Sequence, residues 1–105
     1  MGTDLTVEEA KASARLTGLN LLATTRAALG SLDRVKQIVK VLGMVNSGPG
    51  FDRQPEVIDG FSDLMVEVFG DAGRHARSAV GLAELPFGIP VEIEMIVEVE
   101  DTAPE

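Results

Sequence analysis

Arg77 and Glu92 are the residues of this 105-residue chain whose setting asks for a chemical explanation. They lie in the stretch RHARSAVGLAELPFGIPVEIE, Arg74 to Glu94, where two apolar segments meet at a Pro-Phe-Gly-Ile-Pro corner. Each puts a charge where strand burial discourages one. Arginine presents a planar fork that suits a carboxylate, and glutamate can hold or activate a water molecule. Three readings fit the residue types: solvated surface charges, a structural ion pair, or two parts of a site.

Other chemistry is thinner. The chain has no cysteine, which excludes disulfides, thiolate metal sites and cysteine nucleophiles. His75, the only histidine, sits in a polar segment beside Arg74 and is expected to be exposed. The alternating Glu92, Glu94 and Glu98 could attract a hard cation, but no Asp/Asn/Gly loop frames them, so no metal site is expected. Asn46-Ser47-Gly48-Pro49-Gly50 reads as a turn, because neither Lys-Ser/Thr nor a G-x-G-x-x-G pattern accompanies its glycines. Seventeen acidic against nine basic residues give a net charge of −8, which repels phosphate backbones. Four Phe without Trp or Tyr also offer little for stacking bases, so no nucleic-acid partner is expected.

No apolar run approaches the ~20 residues that span a bilayer, so no membrane partner is expected. Met1-Gly2-Thr3-Asp4 has neither the basic nor the apolar region of a secretory leader, which makes the cytoplasm the default location. Met1-Gly2 with Thr6 fits a loose myristoylation pattern, but Thr6 has a better use as a helix cap and no polybasic patch supports an anchor.

The elements that must position Arg77 and Glu92 follow from caps and periodicity. Thr6-Val7-Glu8-Glu9 is a capping box, and Gly30 is a suitable stop, which predicts a helix over 7–29. Val7, Ala10, Ala14, Leu21 and Ala28, with Thr17 and Thr24 between them, are its expected inner stripe. Arg34 to Asn46 is rich in Val and Ile and reads as a strand. A second helix is predicted over 55–69, with Pro55 at its first position and Gly70 as its stop. Its stripe is Val57, Ile58, Phe61, Leu64, Met65, Val68 and Phe69. Two strands follow near 76–85 and 91–100, then an acidic tail over 101–105 that is expected to fray. The order α-β-α-β-β describes a single α+β domain over 1–105, with two helices on one face of a mixed sheet.

Strand parity bears on the two charges. Val91, Ile93, Met95, Val97 and Val99 share one face of the last strand, and Glu92 lies on the other. In the preceding strand, Val80 and Leu82 are expected to point at the helices, which puts Arg77 on the helix-free face with Ala79, Gly81 and Ala83. Nothing in the chain covers that face, and other subunits are the simplest cover. A hairpin about Gly88 would set Arg77 opposite Val99, roughly 23 Å along the strand from Glu92 at ~3.3 Å per residue. The two could then share a site only if the strands are not directly paired, or if the site lies between subunits.

Arg74-His75-Ala76-Arg77-Ser78-Ala79-Val80, then Glu84-Leu85-Pro86, then Val91-Glu92-Ile93-Glu94, resembles the signature of the reactive-intermediate (enamine/imine) deaminase family. Many members carry the older label endoribonuclease L-PSP or translation inhibitor. Asp33-Arg34-Val35-Lys36, the run from Val45 to Phe51, and the helix PEVIDGFSDLMVEVFG resemble its longer-chain subgroup. The likeness runs from about Asp4 to Val99.

The resemblance implies a chorismate-mutase-like fold and homotrimers whose sheets face inward, with ligand clefts between subunits. It implies that Arg77 grips a substrate carboxylate, helped by backbone N–H near Ala79. Glu92 would orient or activate water to hydrolyse an imine, releasing ammonia and a 2-keto acid. The implied partners are the chain itself and a small carboxylate-bearing imine or 2-keto acid, and no cofactor is implied. Many deaminating members have Cys where this chain has Ala79, and members begin with a strand pair, whereas this sequence starts at the first helix. Holding a small carboxylate without turnover and the endoribonuclease label are the alternative functions, the latter against the charge; a chorismate mutase rests on fold alone.

Overall fold

The Thr6 hydroxyl accepts the Glu9 N–H at 3.1 Å, and the Glu9 carboxylate accepts the Thr6 N–H at 2.8 Å, so the capping box starts helix α1, Val7–Leu29. Gly30, at φ 87°, ends it in the left-handed region and donates its N–H to the Arg26 carbonyl. The structure, a computed structural model, describes residues 5–100; the leader and lipidation readings at 1–4 and the tail reading at 101–105 lie outside them.

Beyond Ala14 the inner stripe of α1 keeps Leu21 against the core and otherwise differs from the expected one. Gly18 and Leu22 take the inner positions, and Ala28 is exposed. A Cβ on Gly18 would stand 2.8 Å from Leu64 Cδ2, so a threonine-lined stripe could not pack as closely. Thr17 and Thr24 instead donate their hydroxyls to α1's own carbonyls.

A 3-10 turn at Leu32–Arg34 leads into strand β1, Val35–Asn46. Helix α2, Gln54–Phe69, carries the chain to strand β2, Ala76–Leu82, and a 3-10 turn at Pro86–Gly88 precedes strand β3, Val91–Val99. The sheet order is β2-β1-β3, with β1 parallel to β2 and antiparallel to β3. The hairpin considered between the last two strands therefore does not form. Segment 83–90 crosses the end of β1, where Asn46 N–H donates to the Pro90 carbonyl and Ser47 N–H to that of Leu82, each at 2.9 Å.

Both helices cover one face. Ile38, Val41 and Val45 of β1, Val57, Ile58, Phe61, Leu64 and Met65 of α2, and Val91 and Ile93 of β3 form the core with Ala10, Ala14 and Leu22. Val68, expected in the α2 stripe, is exposed. A Cβ on Gly60 would run into the Lys11 carbonyl, so that glycine sets how closely the helices approach. The parity of β3 is as expected: Met95 and Val97 pack on the core, whereas Glu94 and Ile96 are exposed. Among the described residues, no helix is long and apolar enough to cross a membrane.

Candidate functional site

The first half of β2 runs beside the middle of β1, pairing Arg77 with Val41 and Ala79 with Gly43. Both partners face the helices, since Val41 is fully buried and a Cβ on Gly43 would stand 2.6 Å from Ile58 Cδ1. Paired residues share a face, so Arg77 and Ala79 point at α2. This corrects the expected parity of β2. The small residues face inward because α2 and the loop after β1 come close to them. A Cβ on Gly81 would stand 2.6 Å from Gln54 Nε2 and 2.7 Å from Ser47 Oγ. Val80 and Leu82 go to the open face, where they are 40% and 39% exposed.

α2 holds the guanidinium of Arg77. Nη2 pairs with Asp59 Oδ1 at 2.8 Å and donates to the Pro55 carbonyl at 3.2 Å, and Nη1 donates to Ser62 Oγ at 3.0 Å. Within the subunit, Arg77 makes its ion pair with Asp59 and not with Glu92.

Glu92 is on the other face. It pairs with Met44, whose neighbours Gly43 and Val45 are buried on the helix side, so Met44 and Glu92 point away from the helices. Glu92 is half-buried, with no partner among the described residues. Arg77 aligns with Val41 and Glu92 with Met44, three positions along β1, with β1 itself between them. That puts their backbones about 10 Å apart along the sheet and about 10 Å across it, on opposite faces. One subunit does not bring them together.

Sequence reasoning missed two polar groups. Lys40 stands on the open face with its Nζ donating to Ser78 Oγ at 3.0 Å, a cation on the same face as Glu92. Its place in an apolar strand was the available signal. His75 is not exposed but half-buried, with Nδ1 2.7 Å from the Gly73 carbonyl and Nε2 2.9 Å from Ser62 Oγ.

A cleft of about 770 Å³ lies at the carboxyl ends of β1 and β2, lined in part by Ser47, Gly48, Phe51, Gln54, Gly81 and Pro90. Two of its side chains are bound to the protein itself: Gln54 Nε2 donates to Ser47 Oγ and the Phe51 carbonyl, and Ser47 Oγ donates to the Val45 carbonyl. Neither Arg77 nor Glu92 lines it. Among the described residues, no group of three or more metal-ligating side chains is gathered.

Known proteins resemble this chain in sequence and fold. Protein TCP17 of Trypanosoma cruzi is 50% identical over 102 residues, covering 96% of this chain and 64% of that protein. The crystal structure of Atu1372 from Agrobacterium tumefaciens, described as of unknown function, superposes with a TM-score of 0.93 at 46% identity, covering 95% of this chain and 65% of that one. A Shewanella oneidensis structure described as a "putative endoribonuclease" superposes with a TM-score of 0.90 at 37% identity, covering 93% of this chain and 65% of that one. This chain thus spans just under two thirds of the length of each. Residues 1–95 match the family model described as "YjgF/chorismate mutase-like, putative endoribonuclease". With two helices on one face of a three-stranded mixed sheet, this chain belongs to the YjgF/chorismate mutase-like family.

Proposed function

We propose that this chain hydrolyses reactive imines and enamines of the 2-aminoacrylate type to 2-keto acids and ammonia, at a site completed by a second copy. The observation that carries the reading is Glu92, which has no partner among the described residues and stands on the sheet face turned away from the helices. A subunit laid on Val80, Leu82 and Ile96 would remove apolar surface from water and leave Glu92 in a cleft. A closed trimer is the proposed assembly.

In that cleft Glu92 takes a proton from water as the oxygen adds to the imine carbon, and passes it to nitrogen to give a carbinolamine. The carbinolamine hydroxyl then gives up its proton to nitrogen through Glu92 as the carbon–nitrogen bond breaks, releasing ammonia and the 2-keto acid. This is addition of water and loss of ammonia, so no redox cofactor is needed. Arg77 is the proposed carboxylate anchor, with backbone N–H at Ala79 beside it. Because Arg77 lies on the other face, its proposed partner is the Glu92 of a different subunit. The incoming carboxylate takes the place of Asp59 on the fork.

Ammonia release from enamine generated in situ, measured on wild type and Glu92→Gln, tests the reading. Loss of a positioned base lowers turnover by about 100-fold or more, while 2-ketobutyrate still binds. Equal turnover in the two proteins would refute it. The second reading is 2-keto acid binding without turnover, in which neither protein releases ammonia. The name of the Shewanella relative suggests RNA as a third substrate class. The net charge of −8 speaks against it, and salt-sensitive cleavage of single-stranded RNA would support it.

A further inference from the structure

The hydroxyls inside the two helices show what is unusual about Ser62. Thr17, Thr24 and Thr25 each donate to the carbonyl four residues earlier in α1, at 2.9, 3.1 and 2.8 Å. That is a common choice for a hydroxyl in a helix. Ser62, in the middle of α2, meets His75 Nε2 at 2.9 Å and Arg77 Nη1 at 3.0 Å.

The partners dictate the direction of each hydrogen bond. The Gly73 carbonyl can only accept, so His75 Nδ1, 2.7 Å away, carries a proton. In the neutral ring Nε2 is then an acceptor. Arg77 Nη1 can only donate, so Ser62 Oγ accepts from it and aims its own proton at His75 Nε2. The His75 ring is further held edge-on to Phe61, with centroids 6.2 Å apart and planes at 66°. A hydroxyl aimed at an oriented base, with a guanidinium against its oxygen, is the arrangement that activates a serine.

We propose that Ser62 is a nucleophile and His75 its base, in the hydrolysis of small, activated acyl esters. A depression of about 280 Å³ opens onto the group, bounded also by Val66 and Arg74. The depression is shallow and open, and it admits a small ester. Asp59 and Asp63 line the same depression with Arg74 and Arg77, so its lining charges balance. Ser62 Oγ bonds to the acyl carbon as its proton passes to His75 Nε2, with Arg77 Nη1 placed to stabilise the oxyanion. The carbon–oxygen bond to the leaving alcohol breaks, and the alcohol takes the proton from Nε2. Water then gives a proton to the same nitrogen and attacks the Ser62 ester; the acid leaves, and Nε2 returns the proton to Oγ. Glu92 and the open face take no part, so Glu92→Gln separates this activity from imine hydrolysis, although Arg77 is placed in both.

The test uses p-nitrophenyl acetate with the full chain, followed by release of p-nitrophenol and by mass spectrometry of peptides. The expected result is a p-nitrophenol burst and an acetyl adduct on Ser62, both absent in Ser62→Ala. His75→Gln should acylate about 100-fold more slowly, with its fold checked by circular dichroism. If the network only ties α2 to β2, folded wild type carries no Ser62 adduct, and that result overturns the proposal. Acylation confined to lysines, or equal rates in wild type and folded His75→Gln, overturns it as well. The wild-type adduct decides the matter even if a variant fails to fold.

Discussion

On the helix side of the sheet, Arg77 is bound by Asp59, Pro55 and Ser62, and the apolar residues around it close into a core. On the open side, Glu92 has no partner among the described residues, and Ile96 and Val80 are 61% and 40% exposed. The two charges that look alike in the sequence thus have opposite fates. One is used in holding the subunit together, and the other is left available. The difference teaches that a charged strand residue is best judged by the face of its partner strand, not by its own neighbours in sequence.

The largest expected effect breaks the helix side. Phe61 of α2 is fully buried in the core beside α1, and Phe61→Ala should destabilise the fold by about 3–5 kcal/mol in urea titration. A change below about 1 kcal/mol would mean that the core repacks, which its close contacts oppose. Arg77→Ala is next. Its guanidinium links the start of β2 to α2 while remaining partly exposed, and its loss should cost about 1–2 kcal/mol by the same titration. No loss of stability would show that the contact is incidental.

Ile96→Lys sharpens the comparison from the open side. An exposed strand position tolerates the change within about 0.5 kcal/mol in the isolated subunit. The sedimenting mass should nevertheless fall towards the 11.1 kDa monomer if this face is an interface. An unchanged mass would place the interface elsewhere.

The smallest effect lies outside both faces, at the Arg15–Glu67 pair between α1 and α2. The hydrogen bond and charge of Arg15 lower the Glu67 carboxyl below its ordinary value. A lowered carboxyl adds stability above its unfolded value and loses it as pH falls through its folded one. The melting temperature of Glu67→Gln should therefore differ slightly from wild type near neutrality, and the gap should close in acid. A gap that widens in acid would reverse the sign.

The helices were legible because their signals are local. Thr6 and Glu9 form the capping box as written, and the α2 stripe is buried from Val57 to Met65. The parity of β3 was legible because its alternation is strong and one face is mostly acidic. β2 was misread for a physical reason. Its larger side chains, Val80 and Leu82, point to the open face, and its small ones, Ala79 and Gly81, point inward. Amphipathicity misleads when the outer face is itself apolar. The place of β1 between β2 and β3 is a long-range fact that neither strand carries alone. For the same reason, the Ser62–His75–Arg77 contact could not be read from the spacing of three residues on two elements.

Mixing Arg77→Ala with Glu92→Gln most directly tests a site shared between subunits. The two chains are combined, allowed to exchange subunits, and assayed for ammonia release from enamine. Each variant alone should be inactive. If Arg77 of one subunit serves Glu92 of another, random exchange of equal amounts restores both groups at about a quarter of the sites, with turnover to match. Exchanged assemblies that stay as inactive as the separate variants would contradict it.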